Sequence, residues 1–334
     1  MTDQQRFDCL GANGNSIIKT PNLDKLAKRS ANFSHTFVQS PVCTPSRACF
    51  FSGRYAHAHK NRVNYTELNE SETLLPKYLQ DAGYQTSLVG KTHLYYKYPP
   101  TKKEAQRTGF DFVDLPKREN REDILKLPPH VHKLILRNEH RGREPHFKMD
   151  KETLQWIYRS YYATVSHVDH EVGRILQTLE ETGQAENTVV VFTSDHGDQL
   201  LEHGLVDKNV FFESSVCVPF MISYPEKVNA GRYDDLVESI DLLPTLFEML
   251  GLEEPYHNHG QSLLPLIGDS EKAYHAKECV FSENVIPEVF LNLYNFEKGK
   301  GVMDVRHPGG KMVRTERWKY KYSLDRHQLT GVDV

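Results

Sequence analysis

Residues 188–198 read T-V-V-V-F-T-S-D-H-G-D. The β-branched and aromatic run over 188–193 suits a strand buried on both faces of a parallel sheet. It gives way to polar residues at its carboxyl end, where open α/β sheets place their ligands. Upstream, from Lys151 to Thr182, the apolar positions Leu154, Ile157, Tyr161, Val165, Val168, Val172, Ile175, Leu176 and Leu179 recur at helical spacing, and Gly183 closes the segment. Shorter helices are predicted over 21–30, opened by Pro21, over Arg47–Gly53, over Leu74–Ala82 and over Leu242–Leu250. Strands are predicted at Tyr84–Val89, Val218–Ser223 and Val280–Ser282, and a terminal hairpin has an arm alternating bulky and basic residues from Trp318 to Tyr322. Residues 101–150 are charged and proline-dotted and read as loops. The alternation of helices with buried strands predicts an α/β class: a doubly wound, mostly parallel sheet with helices on both faces over 1–270. A small antiparallel C-terminal subdomain is expected over 271–334.

A chain of 334 residues is long enough for such a domain with an appendage. Its net charge of −4 offers no electrostatic case for nucleic acid. No apolar run approaches the roughly 18 residues of a membrane span. The cysteines at 9, 43, 49, 217 and 279 are odd in number and lack metal-type spacing, so a complete disulfide framework is not expected. Met1 is followed at once by T-D-Q-Q-R, with no export signal visible, and the compartment stays open.

Residues 41–47, P-V-C-T-P-S-R, place Cys43 between two prolines, which reads as an exposed turn ahead of a helix starting near Ser46. A thiol there sits near helix N–H groups and the Arg47 guanidinium, both of which favour negative charge. Further polar candidates are Asp3 and Gln4, Lys91 and His93 in G-K-T-H, Asp195 and His196, and Lys208. In an extended segment Lys91 and His93 would point the same way. Carboxylate, amide and imidazole together form a coherent shell for a hard divalent cation. The remaining cysteines, His167, His170, His203 and His257, and the tyrosines 158, 161 and 162 read as inert, surface or packing residues.

C-T-P-S-R fits the C-x-P-x-R signature of the sulfatases of the alkaline phosphatase superfamily, and the chain resembles that family. T-D-Q-Q-R-F-D-C-L-G, T-P-N-L-D-K-L-A, G-K-T-H-L, H-V-D-H-E-V-G, F-T-S-D-H-G-D, S-I-D-L-L-P-T-L-F-E-M-L-G and G-Q-S-L-L-P-L-I-G resemble its segments in the expected order. The resemblance implies an alkaline phosphatase-like fold and hydrolysis of an aryl or carbohydrate sulfate ester. It implies that Cys43 is oxidised to formylglycine by a formylglycine-generating enzyme or an anaerobic sulfatase-maturating enzyme. The aldehyde hydrate would attack sulfur. Ca²⁺, with Mg²⁺ or Mn²⁺ as alternatives, would be held by Asp3, Gln4, Asp195, His196 and the modified Cys43. Arg47, Lys91 and Lys208 would stabilise sulfate charge, and His93 would serve the hydrate. The Asp-Gln and Asp-His pairs resemble the branch shared with phosphonate monoester hydrolases, so a phosphonate or phosphodiester hydrolase is the alternative enzyme. An inactive homologue that binds anions is the non-catalytic alternative. Three departures from the family pattern stand out: no apolar strand precedes T-D-Q, no P-H-x-P element occupies the middle, and no closing strand is expected after W-K-Y. His130, His132 and His146 are the nearby candidates for a substitute leaving-group acid.

Overall fold

The architecture comes from a computed structural model that describes residues 1–64, 66–94, 101–114, 151–205, 207–285, 309–323 and 328–333. The helices are α1 (Pro21–Lys28), α2 (Cys43–Ser52), α3 (Ala56–His59), α4 (Leu75–Asp81), α5 (Lys102–Arg107), α6 (Lys151–Glu181), α7 (Glu213–Val216), α8 (Leu242–Leu250) and α9 (Leu264–Ile267). The strands are β1 (Ala31–Phe37), β2 (Ser87–Val89), β3 (Phe112–Asp114), β4 (Val190–Thr193), β5 (Phe220–Ser223), β6 (Gly231–Glu238), β7 (Cys279–Val285), β8 (Gly309–Thr315), β9 (Trp318–Ser323) and β10 (Gln328–Asp333). Among the described residues no helix is long and apolar enough to cross a membrane.

The main sheet has the order β4-β5-β1-β6. β1 and β6 are parallel, and β5 runs antiparallel to both β1 and β4. Hence β1, β4 and β6 point the same way and only β5 is reversed, which bears out the mostly parallel sheet. Thr2 extends it through a parallel bridge to Ser194. Alternation along each strand feeds two cores. Phe33, Phe220, Ile222 and Val237 pack on one face against Phe50, Leu242, Met249, Leu264 and Ile267, from α2, α8 and α9. Met221 and Phe192 pack on the other against Leu23 and Leu26 of α1 and Leu176 of α6. Helices therefore cover both faces.

The α6 segment also explains the H-V-D-H-E-V-G motif. Asp169, 1% exposed, accepts hydrogen bonds from the backbone N–H groups of Asn22 (3.1 Å) and Leu23 (2.7 Å) at the start of α1. These are among the donors that a helix N-terminus leaves without an internal partner. A Cβ at Gly173 would lie 2.5 Å from the Asn22 side chain, so a larger residue there would displace the amide that bonds Asp169.

The C-terminal part is an antiparallel sheet in the order β10-β9-β8-β7. Val280 and Met312 bury against Phe37, Val218 and Leu236, so its inner face shares a core with the ends of β1 and β6. β10 follows the W-K-Y arm and pairs with it, correcting the expectation that no strand closes the tail. Two strands of the main sheet, β1 and β6, escaped sequence reading, and four predicted strands changed length, with Val218–Ser223 shortening to Phe220–Ser223. Of the other three, the 188–193 strand is Val190–Thr193, Tyr84–Val89 shortens to Ser87–Val89, and Val280–Ser282 lengthens to Cys279–Val285. Val190 and Val191 are only partly buried because β4 closes the edge of the strand order rather than lying in its middle.

Candidate active site

The strand directions gather the polar candidates at one edge. Thr2 N donates to Thr193 O (2.8 Å) and Asp195 N to Thr2 O (3.3 Å), so Asp3 and Gln4 lie beside the carboxyl end of β4. The chain leaving β1 turns into α2, which presents Cys43 to the same place.

Cys43 is not in an exposed turn. It is 3% exposed and is the first residue of α2, three positions earlier than the predicted start. Pro45 is compatible with this because it occupies the first helical turn, where its missing N–H has no intrahelical partner to lose. Ser46 N donates to Val42 O (2.9 Å) as the helix opens, and Thr44 N donates to Asn64 Oδ1 (2.9 Å). Sequence reasoning missed Asn64, since no spacing marks a side chain that caps from a distant loop.

Around Cys43 Sγ lie His196 Nε2 at 3.1 Å and Lys208 Nζ at 3.2 Å. Burial alone would raise the thiol's pKa. The charge and hydrogen bond of His196, a hydrogen bond from His93 and the charge of Lys208 outweigh it and hold the pKa well below the usual thiol range. Asp3 behaves alike: burial pushes its carboxyl up, while Lys91, His196, Arg47 and Lys208 pull it far below the usual carboxylate range. Lys208 is pushed up, because Cys43, Asp207, Asp3 and Asp195 overcome the cost of burying its charge.

His196 is fully buried, and its Nδ1 sits 2.9 Å from Gly197 O. That contact makes Nδ1 the donor and leaves Nε2 as the face toward Cys43, the tautomer a metal-binding imidazole needs. A Cβ at Gly197 would meet Ser214 O at 1.9 Å, which accounts for glycine in D-H-G. Ligand atoms of Asp3, Cys43, Asp195 and His196 all lie within 4.8 Å of one another. Donors on opposite sides of one Ca²⁺ stand about 4.6–5.2 Å apart, given bonds of about 2.3–2.6 Å. The spacing of two carboxylates, one imidazole and the side chain of residue 43 therefore fits a single cation. Gln4 joins from the side: its backbone N–H donates to Asp195 Oδ1 (3.0 Å) and its Oε1 accepts from Lys208 Nζ (3.1 Å).

Arg47 takes a different place from the one its charge suggests. It is 3% exposed, and its donors are engaged by Asp195 Oδ2 (2.8 Å), Asp3 Oδ2 (3.2 Å) and Lys91 O (2.8 Å). It orders the two carboxylates and the loop bearing Lys91. Lys91 Nζ in turn forms an ion pair with Asp3. The G-K-T-H segment is not an extended strand, since β2 ends at Val89 and His93 has φ of +50°, yet both side chains still reach the site.

Two further contacts carry no sequence signal. Tyr161 Oη donates to Gln4 O (2.8 Å) and accepts from Arg6 N (2.9 Å), tying α6 to the N-terminal segment. Asp198 and Asp207 bracket the Gln4 side-chain amide. Cys9, Cys49, Cys217 and Cys279 all have pKa values raised, chiefly by burial, in keeping with inert thiols. Tyr158, Tyr161 and Tyr162 pack around Cys9, Ile18, Val165 and Leu200 rather than forming an open platform. His130, His132 and His146 lie outside the described residues.

A family model described as Sulfatase matches residues 1–133 and 127–252, and one described as N-sulphoglucosamine sulphohydrolase, C-terminal, matches residues 201–329. An arylsulfatase of Clostridium perfringens is 26% identical over 82% of this chain and 78% of its own length. An N-acetylglucosamine-6-O-sulfatase of Bacteroides thetaiotaomicron is 25% identical over 81% of this chain and 70% of its own. Among solved structures, the phosphonate monoester hydrolase of Agrobacterium radiobacter superposes with a TM-score of 0.78 at 20% identity, covering 100% of this chain and 87% of that one. A structure in complex with its substrate D-glucosamine-2-N,6-O-disulfate superposes with a TM-score of 0.76 at 22% identity, covering 100% and 90%.

Proposed function

This chain belongs to the sulfatase family, and we propose that it hydrolyses a carbohydrate sulfate ester at residue 43, with Cys43 matured to formylglycine and a divalent cation, Ca²⁺ first, held by Asp3, Gln4, Asp195 and His196. The observation that carries this reading is the Cys43 environment. A buried thiol stands 3.1 Å from His196 and 3.2 Å from Lys208, and the groups that pull its pKa well below the usual thiol range are those that would receive an anionic ester. The carbohydrate class rests on relatives named for sugar-sulfate substrates, including an N-acetylglucosamine-6-O-sulfatase and a delta 4,5-hexuronate-2-O-sulfatase.

The aldehyde hydrate at 43 would supply the oxygen nucleophile, a covalent route that divides hydrolysis into two easier steps. Cys43 Sγ stands where one of its hydroxyl groups would stand. Bound cation would act as Lewis acid on a sulfate oxygen. The protein's own residues do the rest. Lys208 faces residue 43 from 3.2 Å and offers its charge to oxygens that load in the transition state. His93 hydrogen-bonds residue 43 and would take the hydrate's proton. Arg47 and Lys91 fix Asp3, and Arg47 also fixes Asp195.

Burial of C-T-P-S-R at the start of α2 bears on maturation. With Cys43, Thr44, Pro45, Ser46 and Arg47 all buried once α2 is docked, a modifying enzyme would have to reach the segment before that docking. The test is the mass of the peptide spanning residue 43 after co-expression with a formylglycine-generating enzyme. It should be about 18 Da lighter than the cysteine form, and sulfate release should rise with the converted fraction. Full activity in Cys43→Ala refutes the reading. Matched aryl sulfate and aryl phosphonate esters decide the alternative chemistry favoured by the fold of the phosphonate monoester hydrolase; faster phosphonate cleavage would overturn the sulfate assignment.

A further inference from the structure

Gln4 stands in a constrained place. Its φ is +64°, a left-handed conformation uncommon for a residue with a side chain. Its backbone N–H is bonded to Asp195 and its carbonyl accepts from Tyr161, so the main chain is pinned on both sides. What remains to be set is the sense of the side-chain amide, which has donors at one end and an acceptor at the other. Only the oxygen end suits a cation.

We propose that Asp198 is the positioning residue that fixes this sense, holding the Gln4 NH₂ so that Oε1 faces the cation site. Asp198 is 8% exposed, and its Oδ2 accepts from Gln4 Nε2. Its Oδ1 accepts from Leu200 N at 2.6 Å, which fixes the carboxylate against its own loop. Asp207 Oδ1 also accepts from Gln4 Nε2, at 3.1 Å, but its side chain is 53% exposed and can turn away. With the NH₂ so engaged, Oε1 is left on the side of Lys208, whose Nζ is 3.2 Å from Cys43 Sγ. The inference rests on the reading of Asp3, Gln4, Asp195 and His196 as a cation site.

The geometry gives a test with a sign. In Asp198→Asn, the retained oxygen stays on Leu200 N and the introduced NH₂ points at the Gln4 NH₂. Two donors face each other, and Gln4 relieves the conflict by turning its oxygen toward the introduced amide and away from the ion. In Asp198→Asn combined with Gln4→Glu, the introduced NH₂ donates to one oxygen of the new carboxylate and the other oxygen remains for the ion. In Gln4→Glu alone, two carboxylates face each other. Ca²⁺ affinity of the full chain is measured by titration calorimetry, with Mn²⁺ binding followed by paramagnetic resonance, and folding is checked by thermal unfolding. Asp198→Asn should weaken binding by about 10–100-fold, the usual scale for a partner of a metal ligand. The same substitution made in the Gln4→Glu background should strengthen it. Asp207→Asn should cost about threefold or less, since an exposed amide rotates freely. Equal losses from Asp198→Asn in the unaltered and Gln4→Glu backgrounds overturn the proposal, as does an Asp207→Asn loss equal to that of Asp198→Asn. If the unaltered chain binds neither ion, the cation site itself is refuted and this inference falls with it. If the chain binds and the effects are merely additive, only the role of Asp198 fails.

Discussion

Replacing Lys208 by methionine removes one charge and keeps most of the aliphatic volume. Lys208 Nζ is 3.2 Å from Cys43 Sγ and 3.1 Å from Gln4 Oε1, and its side chain is 13% exposed. At that separation, with the effective dielectric of about 20 that describes such sites, a full unit charge interacts by about 5 kcal/mol. If a third to a half of a charge develops on oxygens near residue 43 in the transition state, Lys208 contributes about 1.7–2.6 kcal/mol, or about 20- to 80-fold in rate. Lys208→Met in matured enzyme should therefore lower kcat/KM on an aryl sulfate by that factor. The loss should fall mainly in kcat, because the charge it meets appears late. High salt should change the ratio little, since the pair is shielded from solvent ions. A drop of less than about threefold, or one carried wholly by KM with kcat intact, would refute the idea that this ammonium faces developing charge.

Two other outcomes follow from buried groups away from the chemistry. His59 is 1% exposed, and burial, aided by the charges of Arg54, His57 and His259, pushes its pKa down to about 3. Unfolded, it returns to the ordinary value near 6.5, so below that pH the unfolded chain binds a proton the folded one does not. Stability from neutral His59 is thus complete above about pH 6.5 and is lost as pH falls toward 3, at up to about 1.4 kcal/mol per pH unit. In His59→Gln, urea midpoints between about pH 6.5 and 4.5 should flatten by about that slope; an unchanged slope would count against the buried neutral imidazole. Asp169→Ala strips the carboxylate from two backbone donors and the Asn22 amide, and should cost about 3 kcal/mol in urea unfolding. A cost under about 0.5 kcal/mol would show that α1 holds its first turn without Asp169.

The elements legible in the sequence are those whose burial is written in apolar periodicity. Leu242–Leu250 has the predicted bounds, and the long helix over Lys151–Glu181 differs by one residue. β1 was hidden because its alternate positions are Asn32, Ser34 and Thr36, polar residues buried in a central strand. Two of them reach groups elsewhere in the chain: the Asn32 side-chain NH₂ donates to Asn13 Oδ1, and the Ser34 hydroxyl donates to Asp234 Oδ1. β6 begins G-R-Y-D-D at an exposed end and only becomes core at Leu236. In the site, residue types and order pointed to Asp3, Gln4, Cys43, Asp195 and His196, whose convergence follows from parallel strands ending on one edge. The orientation of Arg47 and the places of Asn64, Asp198 and Tyr161 depend on which distant groups the fold brings beside them. No spacing along the chain encodes that.

One helix carries two cysteine–histidine contacts of similar length and opposite electrostatic character. Cys43 Sγ is 3.1 Å from His196 Nε2, and Cys49 Sγ is 3.2 Å from His59 Nε2. His59 Nδ1 accepts from Asn61 N (3.2 Å), so its Nε2–H points at Cys49, and the pair stays neutral in a fully buried pocket near Glu283 and Glu238. Cys43 instead sits at the positive end of α2 with Lys208 and His93 beside it. The thiol in unmatured protein is therefore a reporter of the field that the matured residue would use. Thiolate absorbance in the ultraviolet should be present at neutral pH in metal-free, unmatured chain, and should arise from Cys43 alone, since the other four cysteines are all pushed up. Acidification should remove it only well below the ordinary thiol range. Lys208→Met should move that midpoint upward, in the same direction in which it slows the matured enzyme. Absence of thiolate at neutral pH, or a midpoint indifferent to Lys208, would mean that the cationic groups around residue 43 do not act on it, and the rate argument for Lys208 would lose its physical basis.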